Sequence, residues 1–453
     1  MLNKFYPVTI ALLLAACGGG DSSPSPSIVT IPNIAPAPTP SPTPASSCVN
    51  PHNATYPSSY EGRFDIPKPK YMLSVNYDRG ISFKDYSPGW IYNNPSMRIP
   101  NCSKEEYIKL MYVQSLDRLK SNGATMTWLY NYGPWDDANA SQLTVDESNY
   151  HIPVNIVEFI VQEAAKRNIE VYYVWQFTTH DKNGKSITTL GEPVTPQKLT
   201  SLLNSHKAQM ISNSKLAQRT GMKGVSADWN ALHIVNLDEP NIKELYTTKY
   251  IEIIDSIRQH FSGEITWGQT GSIYSDPRII NKVDSIHVSV GGPLLTDIEN
   301  ATLTVEKVEQ AITKQIKQLY EDYSCTAVSC TYIPASRQIP VFFEISVQSR
   351  DNYWTEGWVE DGFCVTGKLS DGNRTDCIQN YYTTDFSVQA IGIEGSMRAI
   401  TKQSYFKIGG INFHSSFWHS DTLVPSPEGF PNISQSIRGK PAEKIVKYWF
   451  TGT

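Results

Sequence analysis

The chain has 453 residues, enough for two or three average domains or for one large α/β barrel with insertions. Its formal net charge is -5 and no run of Lys or Arg makes a basic face, which excludes the electrostatic footprint that nucleic-acid binding requires. Composition alone does not choose among the remaining classes.

The chain opens with a short basic start, MLNK, then an apolar run from Val8 to Ala16 that is too short to cross a bilayer as a mature helix. Leu14-Ala15-Ala16-Cys17, followed by GGGDSS, resembles a bacterial lipoprotein signal. That resemblance implies a signal peptide over 1–17, a lipidated Cys17 and an exported chain whose partner is the cell-envelope membrane. Gly18, where an aspartate would signal inner-membrane retention, points to the outer membrane. Residues 18–47 carry eight prolines among Ser, Thr, Ala and Gly. Such a segment cannot bury a core and favours extended polyproline II, so it reads as a spacer. The remainder, 48–453, is expected to be one domain and a monomer. Its six cysteines suit an oxidising compartment, and proximity pairs Cys325 with Cys330 and Cys364 with Cys377, leaving Cys48 for Cys102. No CxxC or HExxH occurs, so neither a metal nor a cofactor is expected.

From residue 70 onward strands alternate with helices. Strands are predicted over 70–78, 125–133, 169–177, 233–241, 263–270, 284–292, 338–349 and 406–418, from short apolar, β-branched and aromatic runs. Between them, apolar residues at helical spacing predict helices over 105–124, 154–168, 195–222, 242–261, 304–323 and 386–404, with a short connection at 275–283 and a closing helix at 441–450. Eight strands alternating with helices predict an α/β fold, a (β/α)8 TIM barrel, because parallel strands need helical crossovers. A doubly wound sheet would show a Gly-rich phosphate turn, and none is present. Helix-to-strand connections are short, whereas the strand-to-helix segments 79–103, 134–152, 178–194 and 350–385 are long, as expected of a barrel that elaborates its catalytic face.

In such a barrel, polar residues at the C-terminal ends of strands are the candidates for chemistry. The clearest carboxylates are Glu239, in HIVNLDEPN at 233–241, and Glu344, which follows Val341-Phe342-Phe343 and precedes Ile345 in a poorly solvated position. NLDEPN at 236–241, FFEISVQS at 342–349 and NFHSSFW at 412–418 resemble the clan A glycoside hydrolases, the four-seven superfamily of retaining TIM-barrel enzymes, over roughly residues 68–450. The resemblance implies Glu239 as acid/base, Glu344 as nucleophile and Trp418 as a sugar-stacking ring. It departs from the family at Asp238, where an asparagine is usual. An ionised aspartate can only accept hydrogen bonds and would repel a nearby Glu344. Three readings of that departure stay open: Asp238 is protonated, it points elsewhere, or the site is weakened.

Aromatic and polar residues near the predicted strand ends complete the substrate-binding set. Trp128 and Trp175 offer rings for apolar sugar faces, and His287, Asn76 and Tyr77 offer hydrogen bonds to hydroxyls, with core packing an equal alternative for each. The reading is a lipid-anchored retaining glycosidase that cleaves a β-linked polysaccharide or oligosaccharide. The alternatives are a non-catalytic surface glycan-binding lipoprotein and an envelope transglycosylase.

Overall fold

The structure, a computed structural model, describes residues 48, 64–69, 77–84, 101–135, 152–181, 195–227, 239–269, 276–324, 339–357, 383–418 and 433–453. Eight strands, all paired in parallel, close into a barrel in the order β1-β2-β3-β4-β5-β6-β7-β8. These are β1 Asp78–Lys84, β2 Met126–Trp135, β3 Glu170–Asp181, β4 Gly224–Ser226, β5 Glu264–Gln269, β6 Ser285–Val290, β7 Val341–Ile345 and β8 Ile408–Trp418. The helices, numbered in chain order, are α1 Lys104–Ser121, α2 Val154–Lys166, α3 Pro196–Thr220, α4 Pro240–Arg258, α5 Pro277–Ile280, α6 Asp297–Ala301, α7 Val305–Ser324, α8 Tyr353–Glu356, α9 Phe386–Lys402 and α10 Pro441–Thr451. The (β/α)8 fold is therefore the observed one.

Local chemistry sets the helix ends. Ser103 and Glu106 form a reciprocal capping box that starts α1. Thr195 accepts from the Lys198 backbone N–H ahead of Pro196 at the start of α3, and Gly221, at φ 74°, ends that helix in the left-handed region. The first and last helices are tied together. Arg118 of α1 donates through Nε and Nη2 to the two oxygens of Glu443 in α10, at 2.7 and 2.5 Å, while Asn122 and the Gly439 N–H also donate to that carboxylate. Cys48 and Cys102 are disulfide-bonded, which fixes the segment before the barrel to the residue preceding the α1 cap. Cys325, Cys330, Cys364 and Cys377 lie outside the described residues.

Strand parity divides the core into two layers. Residues such as Leu129, Tyr173, Val225, Ile265, Trp267, Val288, Phe343 and Ile411 face outward and pack beneath the helices. Met126, Trp128, Tyr130, Tyr172, Val174 and Phe342 face inward and fill the barrel. Each such large apolar side chain contributes about 1.5–3 kcal/mol on burial. At the N-terminal end of the barrel, Lys223 sits 3.5 Å from Glu170 and 3.4 Å from Glu264, and Tyr172 donates to Glu264 at 3.0 Å. Burial first, and the neighbouring Glu170 second, push the Asp78 carboxyl above its ordinary range there.

Two strands differ from the sequence-based expectation. The first is Asp78–Lys84, which meets the predicted 70–78 only at Asp78, and residues 70–76 lie outside the described residues. The fourth is Gly224–Ser226, ahead of the predicted 233–241; residues 228–238 lie outside the described residues, and Pro240 and Asn241 belong to α4. Both strands escaped a search for apolar runs for one reason. Their inward positions hold Gly80, Ser82, Gly224 and Ser226, because the barrel interior is already filled by rings from β2, β3 and β7. A Cβ on Gly224 would lie 2.4 Å from a Tyr172 ring carbon.

Candidate active site

Glu344 is the fourth residue of β7. Alternation turns Val341, Phe343 and Ile345 outward into the sheet–helix layer and leaves Phe342 and Glu344 inside the barrel. The residue is 4 % exposed. A carboxylate in such a place needs donors to replace the water it loses. Tyr130 of β2 donates to Oε1 at 3.3 Å, Ser289 of β6 donates to Oε2 at 3.1 Å, and Nδ1 of His287 stands 3.4 Å from Oε1. Ser289 is the register partner of Glu344 in the β6–β7 ladder, so in-register parallel pairing brings the two side chains to the same face.

His287 is held on three sides. Its ring lies 4.7 Å from Trp128, its Nε2 is 3.5 Å from the Ser226 hydroxyl, and Gly268, its register partner on β5, leaves the space that the ring fills. When Ser226 donates to Nε2, the ring proton resides on Nδ1 and faces Glu344. The histidine is 7 % exposed, so it supports the carboxylate from within the barrel instead of presenting a nitrogen to solvent. The order serine, imidazole, carboxylate matches a hydrolytic triad, but Ser226 stands 3.5 Å from Nε2, at the outer limit of a hydrogen bond and looser than a nucleophile–base pair needs.

The other expected residues fall into distinct places. Trp128 is enclosed below Tyr130, stacked on Tyr172 at 4.8 Å and edge-on to Phe342, so it forms the floor beneath Glu344. Trp175 is a correction: it faces outward from β3 into the layer under the helices, because it differs in parity from the inward Tyr172 and Val174. Tyr77 is also corrected. It precedes β1, at the end of the barrel opposite the strand exits, and packs against the outer layer. Trp418 ends β8 opposite Lys84 in the backbone register. Asn76 and Asp238 lie outside the described residues.

Glu239 is exposed and heads α4 at φ -81° and ψ 114°, with Pro240 as the first helical residue. Eleven residues, 228–238, separate it from Ala227 at the exit of β4. Residues 228–238, which include most of the stretch expected to form the fourth strand ahead of Glu239, lie outside the described residues.

Ser82, Ser226, Ser289 and Asn412 carry no individual sequence signal of a site. All are fully or largely enclosed, and Ser82 donates to Oδ1 of Asn412 at 2.8 Å. Their only sequence signal is small polar residues alternating with Ile and Val, as in Ile286-His287-Val288-Ser289, which marks an inward polar face on a buried strand. Among the described residues no group of three or more His, Cys, Asp or Glu side chains is placed to hold a metal ion.

No protein-family model matches the chain, and no curated protein matches it. Solved structures do. The chain is similar to the GH113 β-mannanase AaManA from Alicyclobacillus acidocaldarius, solved in complex with ManMIm, at 14 % identity over 84 % of this chain and 98 % of that chain, with a TM-score of 0.54. It is similar to a GH113 β-1,4-mannanase at 13 % identity over 84 % of this chain and 100 % of that chain, with a TM-score of 0.53. At these identities the likeness is one of fold, a closed barrel of eight parallel strands.

Proposed function

We propose that the protein is an exported, lipid-anchored glycoside hydrolase that cleaves a β-linked polysaccharide or oligosaccharide with retention, using Glu344 as nucleophile and Glu239 as acid/base. The observation that carries this reading is the enclosed Glu344 at the C-terminal part of β7, with Tyr130, Ser289 and His287 turned toward its two oxygens. A carboxylate so held keeps one orientation, which is what attack on an anomeric carbon requires. In the first step a Glu344 oxygen bonds to that carbon while the bond to the leaving oxygen breaks, and the leaving oxygen takes the proton of Glu239. In the second, water attacks the same carbon, gives its proton to Glu239 and frees Glu344. Retaining pairs work about 5–5.5 Å apart. The fold shared with β-mannanases makes β-1,4-mannan the first substrate to assay.

The test is a panel of β-linked glycans assayed with the full-length protein and with Glu344→Gln and Glu239→Gln. Turnover should fall by three orders of magnitude or more in Glu344→Gln while glycan binding persists. Unchanged turnover in that variant would end the reading. The exposure of Glu239 at the head of α4 favours a second reading, glycan binding without cleavage, in which the panel shows affinity and no products. Products longer than the substrate would instead indicate transglycosylation. For the anchor, Cys17→Ser should abolish incorporation of labelled palmitate and release the protein from the membrane fraction.

A further inference from the structure

Asn412 sits beside Glu344 and has half of its amide unused. The two residues are register partners in the β7–β8 ladder, so both side chains point into the barrel. On its other side Asn412 pairs with Gly80 of β1, where a Cβ would come within 2.8 Å of Oδ1 and 3.3 Å of the Asn412 Cβ. Its Oδ1 accepts from Ser82, which lies two residues nearer the strand exits than Gly80, so the amide leans toward the end of the barrel where the strands leave. In this arrangement the Ser82 hydroxyl takes the acceptor end of the amide and leaves the Nδ2 end for another partner. The Nδ2 group is buried with no hydrogen-bond partner among the described residues, and the residue is 0 % exposed. An unmade bond of this kind is a standing cost in the free protein, and a ligand that brings an acceptor is one way to recover it.

Resting on the glycosidase reading of Glu344, we propose that Asn412 is a substrate-binding residue whose Nδ2 donates to an oxygen of the sugar ring seated against Glu344. The acceptor is a hydroxyl or ring oxygen of a neutral hexose, since an amide N–H adds a directed donor without charge next to an anionic nucleophile. Ser82 is the positioning residue, its hydroxyl holding the Oδ1 end of the amide.

The test uses full-length protein, mannohexaose as probe, and the double variant Ser82→Ala/Asn412→Leu, which removes both hydrogen-bonding partners while keeping the volume at 412. Replacing both partners of a buried bond with apolar groups is close to neutral for stability, and here it also removes the orphan donor. The expected result is a melting temperature at or above that of the parent, with affinity for mannohexaose in the Glu344→Gln background about tenfold weaker and cleavage in the active background reduced by a similar factor. Unchanged affinity would overturn the proposal, as it would if a buried water alone used the Nδ2 group. A fall in melting temperature with affinity intact would overturn it too, by showing a purely structural role. Cleavage that survives Glu344→Gln removes the nucleophile assignment, yet the affinity comparison still reads Asn412 directly. If the parent neither binds nor cleaves mannohexaose, the proposal fails for this sugar class.

Discussion

Gly268 and His287 face each other across the β5–β6 ladder so closely that a Cβ on the glycine would lie 1.9 Å from the imidazole Cε1. The glycine is a notch cut for the ring, and the ring in turn stands against Glu344. Gly268→Ala is therefore expected to displace His287 and lower kcat by at least tenfold. Overpacking of this kind costs about 1–3 kcal/mol, measurable by denaturant unfolding. An alanine variant with parental kcat would show that His287 does not orient the carboxylate.

Trp175 and Trp128 should separate cleanly on substitution. Trp175 lies in the layer beneath the helices, so Trp175→Ala should cost about 3–5 kcal/mol of stability. The milder Trp175→Phe should leave KM unchanged. Trp128→Phe retains a ring on the barrel floor but alters the face against His287, so its effect should appear in kcat. Loss of glycan affinity in Trp175→Phe would contradict the outward placement.

His206 of α3 is fully buried beside the exit of β4, its Nε2 3.4 Å from the Ala227 carbonyl. Burial drives its pKa down to about 3 from 6.5. The unfolded chain then takes up a proton below 6.5 that the folded protein refuses, so stability should fall as pH drops from 6.5 toward 3. The slope is about 1.4 kcal/mol per pH unit for this one group. Urea titrations between those limits should show the slope in the parent and its absence in His206→Phe. Equal slopes would refute the assignment.

Glu443 gives a dependence in a different window. Burial alone would raise its pKa, but the hydrogen bonds and charge of Arg118, with Asn122 and the Gly439 N–H, hold it below 4.5. Its contribution is complete above that value and is lost as pH falls through the lowered folded pKa. Glu443→Gln should cost about 3 kcal/mol near neutrality, because it leaves Arg118 without its partner. The difference from the parent should shrink in acid, and thermal melts across the range check this.

How far the fold was legible follows from where the periodic signal is strong. Helices with a wide apolar stripe, such as α2 with Ile156, Val157, Ile160, Val161 and Ala164 on its buried face, announce themselves, because each buries one side against the sheet. So does β6, whose outward residues Ile286, Val288 and Val290 are all apolar. β1 and β4 do not, since their inward places hold only Gly80, Ser82, Gly224 and Ser226, and at the two glycines a Cβ would collide with Met126, Asn412 or Tyr172. A short strand of small residues looks locally like a turn.

The candidate site divides along the same line. A glutamate flanked by Phe343 and Ile345 was visible as an enclosed carboxylate from its neighbours in the chain. Its donors were not, for Tyr130 lies 214 positions away and Ser289 lies 55 positions away, and only barrel closure and strand register bring them together. Parity decided Trp175 against Trp128: shifting by one residue along a strand exchanges the inside of the barrel for the layer under the helices. Local pattern thus carried the architecture and one enclosed carboxylate, whereas the neighbours of that carboxylate depended on strand pairing, a property no single segment of chain contains.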